Sequence, residues 1–554
     1  MDEKTRLLSD TTGSPCDGSG EKEAPPERVY TPQYLSINAA DPKLRGSDDS
    51  WVDLASDSTR IATPTFEDSL LAPVNSHPKS PPVAQEVEVK VKLYKRRWYI
   101  LVIFSLFAAT ENFVWNTFGP ISAASEDAFG WDDGTITTLT NWGPISFMVA
   151  AVFFSWVIDV KGMRPAVVTS MMLITAGCGI RCISSTPPLV TWINHIGGAL
   201  NGLAGPVAMF GNPVLSSIWF GPHERTTSTA LTIVITNLGL ALSFVIGPMV
   251  VPDRTNPNCT NVRDNQSVHI EAYTSQLPDT DCTLYFNTSG TRIAEERKDI
   301  MLLQYSVCGW SVFLFLVILL YFPSRPPLPP CVSASQKREN FLVGLKTLFR
   351  RGQFWLLTLI YGLTLGVADC WTGLVDVILK PYGVSEKEAG WMGFYGNVGQ
   401  MGLSLIVARF ADKFSRHFKL LIFILYLLGA GNVACFALVC VGVLPSSLVV
   451  LYVTFISATT ILFCAEPLIY ELTCELTFPI GEGTTNSILT LVNNIFGFVF
   501  LLIPTLPNIG SQSWMNWAML GSIVVSIPPI VLLKDKYLRL EVDEHAETKV
   551  TRQQ

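Results

Sequence analysis

Residues 98–121 read WYILVIFSLFAATENFVWNTFGPI, an apolar run with one carboxylate, Glu111, near its middle. A run of roughly 20 apolar residues is long enough to cross a bilayer as a helix. Of all 554 residues 15% are charged and 49% are hydrophobic, whereas a soluble protein usually has about 25% charged residues. The composition excludes an ordinary soluble enzyme, a disordered protein and a nucleic-acid binder, and it indicates a protein with several membrane spans.

Further apolar runs follow this one, after a polar beginning. Residues 1–97 contain no sustained apolar run, so we expect them to form a disordered cytosolic tail. The runs predict an all-α membrane protein with twelve transmembrane helices, at about 98–121, 138–158, 165–185, 188–218, 226–250, 300–322, 354–379, 389–411, 418–440, 446–474, 484–507 and 513–534.

The positions of lysine and arginine predict how these helices are oriented. Basic residues concentrate in alternate connections, above all in the 323–353 linker, while the short loops between those connections contain almost none. Because cytosolic loops carry an excess of Lys and Arg, both termini are predicted to be cytosolic. The predicted units are a six-helix bundle over 98–322, the cytosolic linker, a second six-helix bundle over 354–535 and a cytosolic tail over 536–554.

One long loop, residues 251–299, is predicted to face the lumen or the extracellular space. It contains the N-x-S/T sequons at Asn258, Asn265 and Asn287, which predict a glycoprotein. Cys259 and Cys282 of the same loop form either a disulfide in an oxidising compartment or two free thiols, and the sequence leaves both open.

The order of these segments resembles the major facilitator fold, in which two six-helix bundles rock about a site at the middle of the membrane. A faint internal repeat agrees with this. One span runs from Gly143 to Asp159 and its counterpart runs from Gly396 to Asp412, so each aspartate follows its glycine by 16 residues.

Short charged loops at these span ends resemble the cytosolic gating motif of the superfamily. Its charges are expected to pair across the interface between the bundles when the cytosolic side is closed. The alternative is that any short cytosolic loop is charged. The residues predicted to form this gate are Asp159, Arg164, Glu224, Arg225, Asp412, Arg416, Glu471 and Glu475.

Several motifs resemble one solute carrier group, the group that contains the feline leukaemia virus subgroup C receptors. They are residues 115–121 (WNTFGPI), 201–206 (NGLAGP), 219–225 (WFGPHER), 321–330 (YFPSRPPLPP) and 471–483 (ELTCELTFPIGEG), in this order. The resemblance implies a proton-linked carrier of a small organic solute. The cargo would be pyridoxine in the lysosomal branch of the group, and choline, ethanolamine or haem in the receptor branch.

Ionisable groups inside the spans are the candidate transport residues, because a charge in the bilayer is costly unless it faces a cavity or a partner. Glu111 and Trp115 lie one helical turn apart, and a carboxylate beside an indole suits a cationic or protonatable ligand. The resemblance places the choline-contacting aromatic residue of the receptor branch at Trp115. Asp369 is expected to face Glu111, since the first and seventh helices occupy equivalent positions, and two such carboxylates would favour binding of a proton. The alternative is a carboxylate paired within its bundle.

Amide side chains within the fifth and eleventh spans offer both donors and acceptors to a solute, although amides also join helices to one another. The predicted substrate-binding residues are Glu111, Trp115, Asn237, Asp369, Trp371 and Asn494. The predicted proton-coupling residues are Glu111, Asp369 and Glu466.

The tail begins with an acidic dileucine pattern that ends at Leu7 and Leu8, which predicts binding of sorting adaptors. We therefore expect a lysosomal membrane protein, with the plasma membrane as the second choice. The predicted partners are the solute, protons, membrane lipid and adaptors, with no nucleic acid, cofactor or metal, and the chain is expected to be monomeric. A non-transporting receptor or scaffold is the alternative class, but the loop of 49 residues is small for an ectodomain.

Overall fold

The computed structural model describes residues 33–35, 87–252, 289–503 and 513–553, except for 383, 385, 415, 446 and 535. Helices dominate this part of the chain, which confirms the predicted all-α class. The strands β1 (Gln33–Leu35) and β2 (Val87–Val89) form one short antiparallel pair. Some predicted features lie outside the described residues, namely Leu7, Leu8, Asn258, Cys259, Asn265, Cys282 and Asn287.

The first half of the membrane region contains six long helices and one short one. They are α1 (Arg97–Trp115), α2 (Ser122–Phe129, the short one), α3 (Asp133–Trp156), α4 (Met163–Arg181), α5 (Leu189–Trp219), α6 (Arg225–Val250) and α7 (Ser289–Leu320). α3 continues as a π turn over Val157–Lys161. Pro206 and Pro213 lie inside α5, which remains one helix.

α3 begins at a side-chain cap. Asp132 accepts a hydrogen bond of 3.0 Å from the backbone N–H of Thr135, which satisfies one of the free donors at the helix start. The Thr135 hydroxyl donates to the same carboxylate. These bonds from Thr135 hold the pKa of Asp132 below its usual range, since they favour its charged form.

The linker, the second half and the C-terminal tail follow. The linker contains α8 (Val332–Ser335) and α9 (Phe341–Phe349). The second half contains α10 (Gly352–Gly373), α11 (Val375–Leu379), α12 (Glu386–Lys413), α13 (Phe418–Cys440), α14 (Leu448–Phe463), α15 (Glu466–Thr477), α16 (Glu482–Leu502) and α17 (Trp514–Leu532). The tail, which was expected only as a cytosolic segment, forms α18 (Leu538–Gln553).

The number of membrane spans is supported in part. Ten helical segments among the described residues are long and apolar enough to cross a bilayer. α5 and α12 are not among them, although their 31 and 28 residues are sufficient in length. Twelve spans therefore stay a prediction.

Each half packs around its own hydrophobic core, one built from α1, α3, α4, α5 and α7 and the other from α10 and α12–α17. Within the first half α1 and α6 approach each other closely. A Cβ atom on Gly239 of α6 would overlap the backbone of Ala109 in α1, so this contact requires glycine. The backbones could separate only by disturbing both helices.

Gly239→Ala is therefore expected to destabilise the protein by about 1–3 kcal/mol, the usual cost of overpacking. Gly431→Ala in α13 is the matched control, because a Cβ there meets nothing within 4 Å. The control should be neutral or slightly stabilising, since alanine favours a helix more than glycine does. Heat stability in detergent, followed by the loss of monodisperse protein, compares the two. Equal stability of both variants would contradict the close contact of α1 with α6.

The two halves meet at one end of the molecule. We call it the basic end, because it carries Lys161, Arg225, Arg338, Arg416 and Arg539. There α6 packs against α12, and α3 and α5 pack against α16. Within the described residues, the hydrogen bonds between the halves all join these helices near the basic end. α1 and α10 are not among the helix pairs that pack closely.

Candidate functional site

Glu111 lies inside the first bundle, between α1 and α5, and its side chain is 6% exposed. The amide nitrogen of Asn201 donates to the Glu111 carboxylate at 3.3 Å and to the Glu111 backbone oxygen at 3.1 Å. Gly205 leaves room for the carboxylate, since a Cβ there would lie 3.3 Å from Glu111 Oε1. No charged side chain among the described residues interacts electrostatically with this carboxylate. Glu111 is thus a buried acid with a neutral partner.

Asp369 lies in α10 and its side chain is exposed. Its carboxylate accepts a hydrogen bond of 3.1 Å from the Asn493 amide of α16. Glu466 and Tyr470 of α15 lie within electrostatic range of Asp369, and the Tyr470 and Tyr361 hydroxyls are 3.2 Å apart. These neighbours lie in the protein interior, whereas the Asp369 side chain is exposed although it belongs to a helix long and apolar enough to cross a bilayer.

The expected meeting of Glu111 with Asp369 is wrong for this conformation. The two carboxylates do not interact electrostatically, because each is held within its own bundle by an asparagine of a neighbouring helix. The acidic neighbour of Asp369 is Glu466 instead. Pseudo-symmetry gives α1 and α10 equivalent positions in the two bundles. The directions of their side chains nevertheless keep Glu111 and Asp369 apart.

The predicted tenth span is interrupted near its middle. α14 ends at Phe463 and α15 begins at Glu466, with Cys464 and Ala465 between them. Pro467 lies in the first turn of α15, where a missing N–H costs nothing. The half-buried Glu466 carboxylate therefore sits at a helix N-terminus, whose dipole favours a negative charge. Interrupted helices of this kind form the midplane sites of many transporters.

The two predicted tryptophans have different surroundings. Trp115 is half-buried, and its indole nitrogen donates to the Thr140 backbone oxygen at 2.9 Å. The ring lies against Gly143 of α3, where any Cβ would overlap it. Trp371 is fully buried, bonds to Asn516 at 2.8 Å and packs against aromatic rings of α13 and α14. The prediction that Trp371 binds substrate is therefore wrong, because its ring belongs to the core.

The two predicted asparagines remain candidates. Asn237 of α6 is half-buried and makes no side-chain hydrogen bond to any described residue. Asn494 of α16 is half-buried too, and its amide nitrogen donates to the Thr490 oxygen of the same helix at 2.9 Å. Each amide therefore keeps at least its oxygen available to a ligand.

At the basic end, Asp159 joins the first bundle to the second. Its carboxylate accepts hydrogen bonds from the backbone N–H groups of Gly483 at 3.0 Å and Thr484 at 2.7 Å, and from the Thr484 hydroxyl. These groups form the N-terminus of α16, where free N–H donors and the helix dipole both favour an anion. A Cβ on Gly481 or on Gly483 would overlap the carboxylate.

Asp412 makes the equivalent contact in the opposite direction. Its two oxygens accept from the backbone N–H groups of Thr226 at 2.9 Å and Thr227 at 2.8 Å, at the N-terminus of α6. In each case an aspartate at the end of the second long helix of one half caps the N-terminus of the fifth long helix of the other half. The repeat seen in the sequence thus corresponds to two interlocks, which we call the aspartate interlocks. Both aspartates therefore pair across the interface between the bundles, as expected for the gate, and their partners are backbone N–H groups.

Two further predicted gate residues stay within the first half and the linker beside it. Arg164 donates to the Leu319 backbone oxygen at 3.1 Å, and its own N–H donates to Ser324 at 3.0 Å. Glu224 pairs with Arg97 at 2.9 Å. Neither residue crosses to the other bundle, so the prediction that they pair across the interface is wrong. Both lie next to helix ends of their own half, which are closer than the other bundle.

The remaining predicted gate residues bind α18, the helix that the sequence did not predict. Arg225 of α6 is buried and pairs with Asp543 at 3.2 Å. Asp543 also accepts from the backbone N–H of Ser333 in the linker at 2.7 Å. Arg416 pairs with Glu544 on the exposed surface. α18 is thereby attached to the first bundle, the linker and the second bundle.

Arg539, in the first turn of α18, is a functional candidate that sequence reasoning missed. It is fully buried and binds Glu471 and Glu475 of α15, the latter at 3.2 Å, and it lies 3.8 Å from Glu482 of α16. Glu482 also pairs with Arg338 of the linker. The sequence contained a signal for this cluster, because the two glutamates of α15 lie one helical turn apart and that helix has no lysine or arginine to pair with them. The sequence could not show which distant arginine serves them.

Comparisons with known proteins agree with this architecture. The model of the Major Facilitator Superfamily matches residues 303–502. A Xenopus tropicalis protein, "Solute carrier family 49 member 4 homolog", is 34% identical over 456 residues, which cover 82% of this chain and 94% of that protein. The "Choline/ethanolamine transporter flvcr2b" of Danio rerio is 26% identical and covers 74% of this chain and 78% of that protein.

Solved structures show the same fold. The crystal structure of FucP, a major facilitator transporter in the outward conformation, matches with a TM-score of 0.53 at 12% identity. The match covers 78% of this chain and 99% of that chain. The major facilitator fold that the sequence predicted is therefore confirmed.

Proposed function

This chain belongs to solute carrier family 49, a branch of the major facilitator superfamily, and we propose that it carries pyridoxine together with protons. The observation that carries the proposal is Asp369, an exposed carboxylate within a helix long and apolar enough to cross a membrane. A charge at that depth is costly unless it serves a ligand or an ion.

Proton coupling is supported by the surroundings of the three predicted acids. Glu111 is buried with an amide partner. The carboxylates of Asp369 and Glu466 lie near each other, so their negative charges repel. Burial and like charge both favour the neutral form of a carboxyl group. In our proposal these groups bind protons on the acidic side of the membrane, and loss of the protons accompanies the change of conformation.

The cargo is inferred from the predicted substrate-binding residues. A quaternary ammonium such as choline is best held by several aromatic rings. With Trp371 in the core, Trp115 is the predicted tryptophan that remains for such a cage. An aromatic alcohol such as pyridoxine would instead stack on Trp115 and bind Asn237, Asn494 and Asp369 through its hydroxyl groups and ring nitrogen. Choline is the second candidate, because relatives with 24–26% identity are named choline/ethanolamine transporters.

The aspartate interlocks are proposed to form the cytosolic gate, with the basic end in the cytosol as the excess of basic residues there suggests. The same orientation would place Asn258, Asn265 and Asn287 in the lumen. The lysosomal location is proposed from the dileucine pattern at Leu7 and Leu8. Rocking of the bundles would break the interlocks and open the site to the cytosol.

Uptake into proteoliposomes across an imposed pH gradient tests this function, with pyridoxine, choline and haem compared. We expect pyridoxine uptake to rise with the gradient. Glu111→Gln and Asp369→Asn should each abolish the pH dependence, because neither amide can bind the proton. Asp127→Asn is the matched control, since that carboxylate pairs with Arg292 at 2.6 Å outside the site, and it should behave as the unchanged chain.

Two results would count against the proposal separately. Unchanged pH dependence in both site variants would reject the proton sites. Gradient-driven uptake of choline without pyridoxine would reject the cargo and leave the proton sites standing.

A further inference from the structure

Two of the three predicted proton-binding acids, Glu111 and Asp369, are each held by an asparagine that has an unused oxygen. Asn201 is 1% exposed, and its Nδ2 donates to Glu111 Oε1 at 3.3 Å. The Oδ1 atom of the same amide is buried and has no hydrogen-bond partner among the described residues. A buried acceptor without a partner is costly, so its position beside the acid requires an explanation.

The second bundle repeats the arrangement on different helices. Asn493 is 4% exposed, its Nδ2 donates to Asp369 Oδ2 at 3.1 Å, and its Oδ1 is likewise buried without a partner in the described part of the chain. A Cβ on Gly366 would come within 3.3 Å of that oxygen and would overlap the Asn493 backbone, so α10 and α16 hold the amide in place. The two bundles thus share the same arrangement, an orphan amide oxygen on the asparagine that holds an acid.

We propose that Asn201 and Asn493 are positioning residues that hold the protonated forms of Glu111 and Asp369 as cyclic acid–amide pairs. This inference rests on the proposed proton coupling. A primary amide and a neutral carboxylic acid can form two hydrogen bonds at once, one in each direction. The existing N–H···O bond is one of them, and the unpartnered Oδ1 supplies the acceptor for the other.

The protonation step involves few atoms. A proton adds to the carboxylate oxygen that does not already accept from the amide, which is Oε2 in Glu111 and Oδ1 in Asp369. The new O–H group donates to the asparagine Oδ1, and the other carboxyl oxygen continues to accept from Nδ2. Proton release reverses the step and leaves the acid with the single bond seen in the structure.

The groups around the first pair do not supply another partner for the proton. Arg181 of α4 is buried and donates to the Val114 backbone oxygen at 3.2 Å, one turn beyond Glu111. His195 of α5 accepts from the Trp142 indole at 3.0 Å. Among the described residues, no charged side chain interacts electrostatically with Glu111 itself.

The second pair has acidic and phenolic neighbours. Glu466, Tyr470 and Tyr361 lie within electrostatic range of Asp369, and the two phenols bond to each other at 3.2 Å. Glu466 raises the cost of a second negative charge at this site. The Asp369 side chain is exposed and can receive protons, whereas Glu111 is closed off in this conformation.

Infrared difference spectroscopy of the full-length protein tests the pairs on acidification from about pH 10 to about pH 5, a range wide enough to include a buried carboxyl group whose surroundings favour the neutral form. Each protonated carboxyl gives a carbonyl-stretch band, assigned by its loss in Glu111→Gln or Asp369→Asn. Hydrogen bonds lower the frequency of this band, so Asn201→Leu should shift the Glu111 band upward and Asn493→Leu should shift the Asp369 band upward. Asn201→Ser and Asn493→Ser, which cannot reach both carboxyl oxygens, should give the same shifts if a leucine variant does not fold.

Matched controls come from the same two helices. Asn194 of α5 is buried and donates to the Val190 oxygen of its own helix, and Asn486 of α16 is buried and donates to the Glu482 backbone oxygen of its own helix. Asn194→Leu and Asn486→Leu should leave both bands in place. Bands that appear on acidification but do not move in the Asn201 and Asn493 variants overturn the pairing and leave proton coupling intact. Absence of both bands overturns the pairing and the proposed proton sites together.

Discussion

Replacing Arg539 by methionine is expected to destabilise the protein by about 3–5 kcal/mol, the cost of leaving buried charges without their partner. Glu471 and Glu475 are 4% and 3% exposed, and both depend on this guanidinium. Methionine fills a similar volume without the charge, so the loss reports the ion cluster rather than a cavity. Heat stability of the purified protein in detergent measures the effect.

Arg416→Met is the matched control, because Arg416 pairs with Glu544 of the same helix α18 but on the exposed surface. We expect no measurable change there, since exposed ion pairs contribute little. Similar stability of the two variants would show that the Arg539 cluster does not hold α18 in place.

The Arg539 effect should depend on pH through the glutamates and not through Arg539 itself. Burial opposes the charge on Arg539, but the carboxylates of Glu471, Glu475 and Glu482 outweigh it and raise the pKa of Arg539 above its usual range. A raised pKa contributes stability that is fully present below the unfolded value and is lost only as the pH rises through the folded value. The Arg539→Met deficit should therefore be full at neutral pH and should shrink at acidic pH, because the buried glutamates of the variant have lost this cation and become neutral when they bind protons.

Removing both aspartate interlocks, with Asp159→Ala and Asp412→Ala in one chain, is expected to open the basic end. Each carboxylate accepts two backbone N–H bonds at a helix start, and a hydrogen bond to a charged group contributes about 1.5–3 kcal/mol. Loss of both interlocks should shift the balance of conformations by tenfold or more, since about 1.4 kcal/mol corresponds to a factor of ten.

A cysteine at position 487 can report this opening. Ser487 is fully buried and donates to the Ala151 backbone oxygen across the α3–α16 contact at 3.0 Å. Ser487→Cys should react slowly with a maleimide in an otherwise unchanged chain and at least about ten times faster when both aspartates are removed. Peptide mapping by mass spectrometry separates it from the native cysteines.

Glu224→Ala, combined with the same reporter, is the control, because this acid lies at the basic end but pairs with Arg97 of its own half. Its labelling rate should stay at that of the reporter alone. An equally slow rate in the double aspartate variant would reject the interlocks as the gate.

Much of the fold could be predicted from local patterns. The apolar runs predicted the helices, because a run of about 20 apolar residues has few other stable environments. Asp159 and Asp412 were found through their equal spacing from Gly143 and Gly396, since a structural repeat keeps its register. Their partners were not found, because the N–H groups that bind them belong to the backbone and leave no mark in the sequence.

The candidate site was predicted less well than the fold. Asp369 was recognised as an ionisable group within a span, and its side chain is exposed in the structure. Trp371, two residues further along the same helix, points to the core. Spacing along the helix did not distinguish a tryptophan in the core from one at the candidate site, since both surroundings are apolar enough to accept its ring. Asn201 and Asn493 were seen only as parts of motifs, because a role as a partner depends on a residue far away in the chain.

By itself the sequence determined the class, the helices, the repeat and the identity of the acids within the spans, because each of these follows from composition or from spacing along one chain segment. The tertiary structure decided which acid meets which partner. Glu111 binds Asn201 across 90 positions, Asp369 binds Asn493 across 124, and Arg539 reaches back 68 positions to Glu471. Contacts over such separations depend on how helices turn and pack, and a side chain facing an internal space differs from one facing the core by only a fraction of a helical turn.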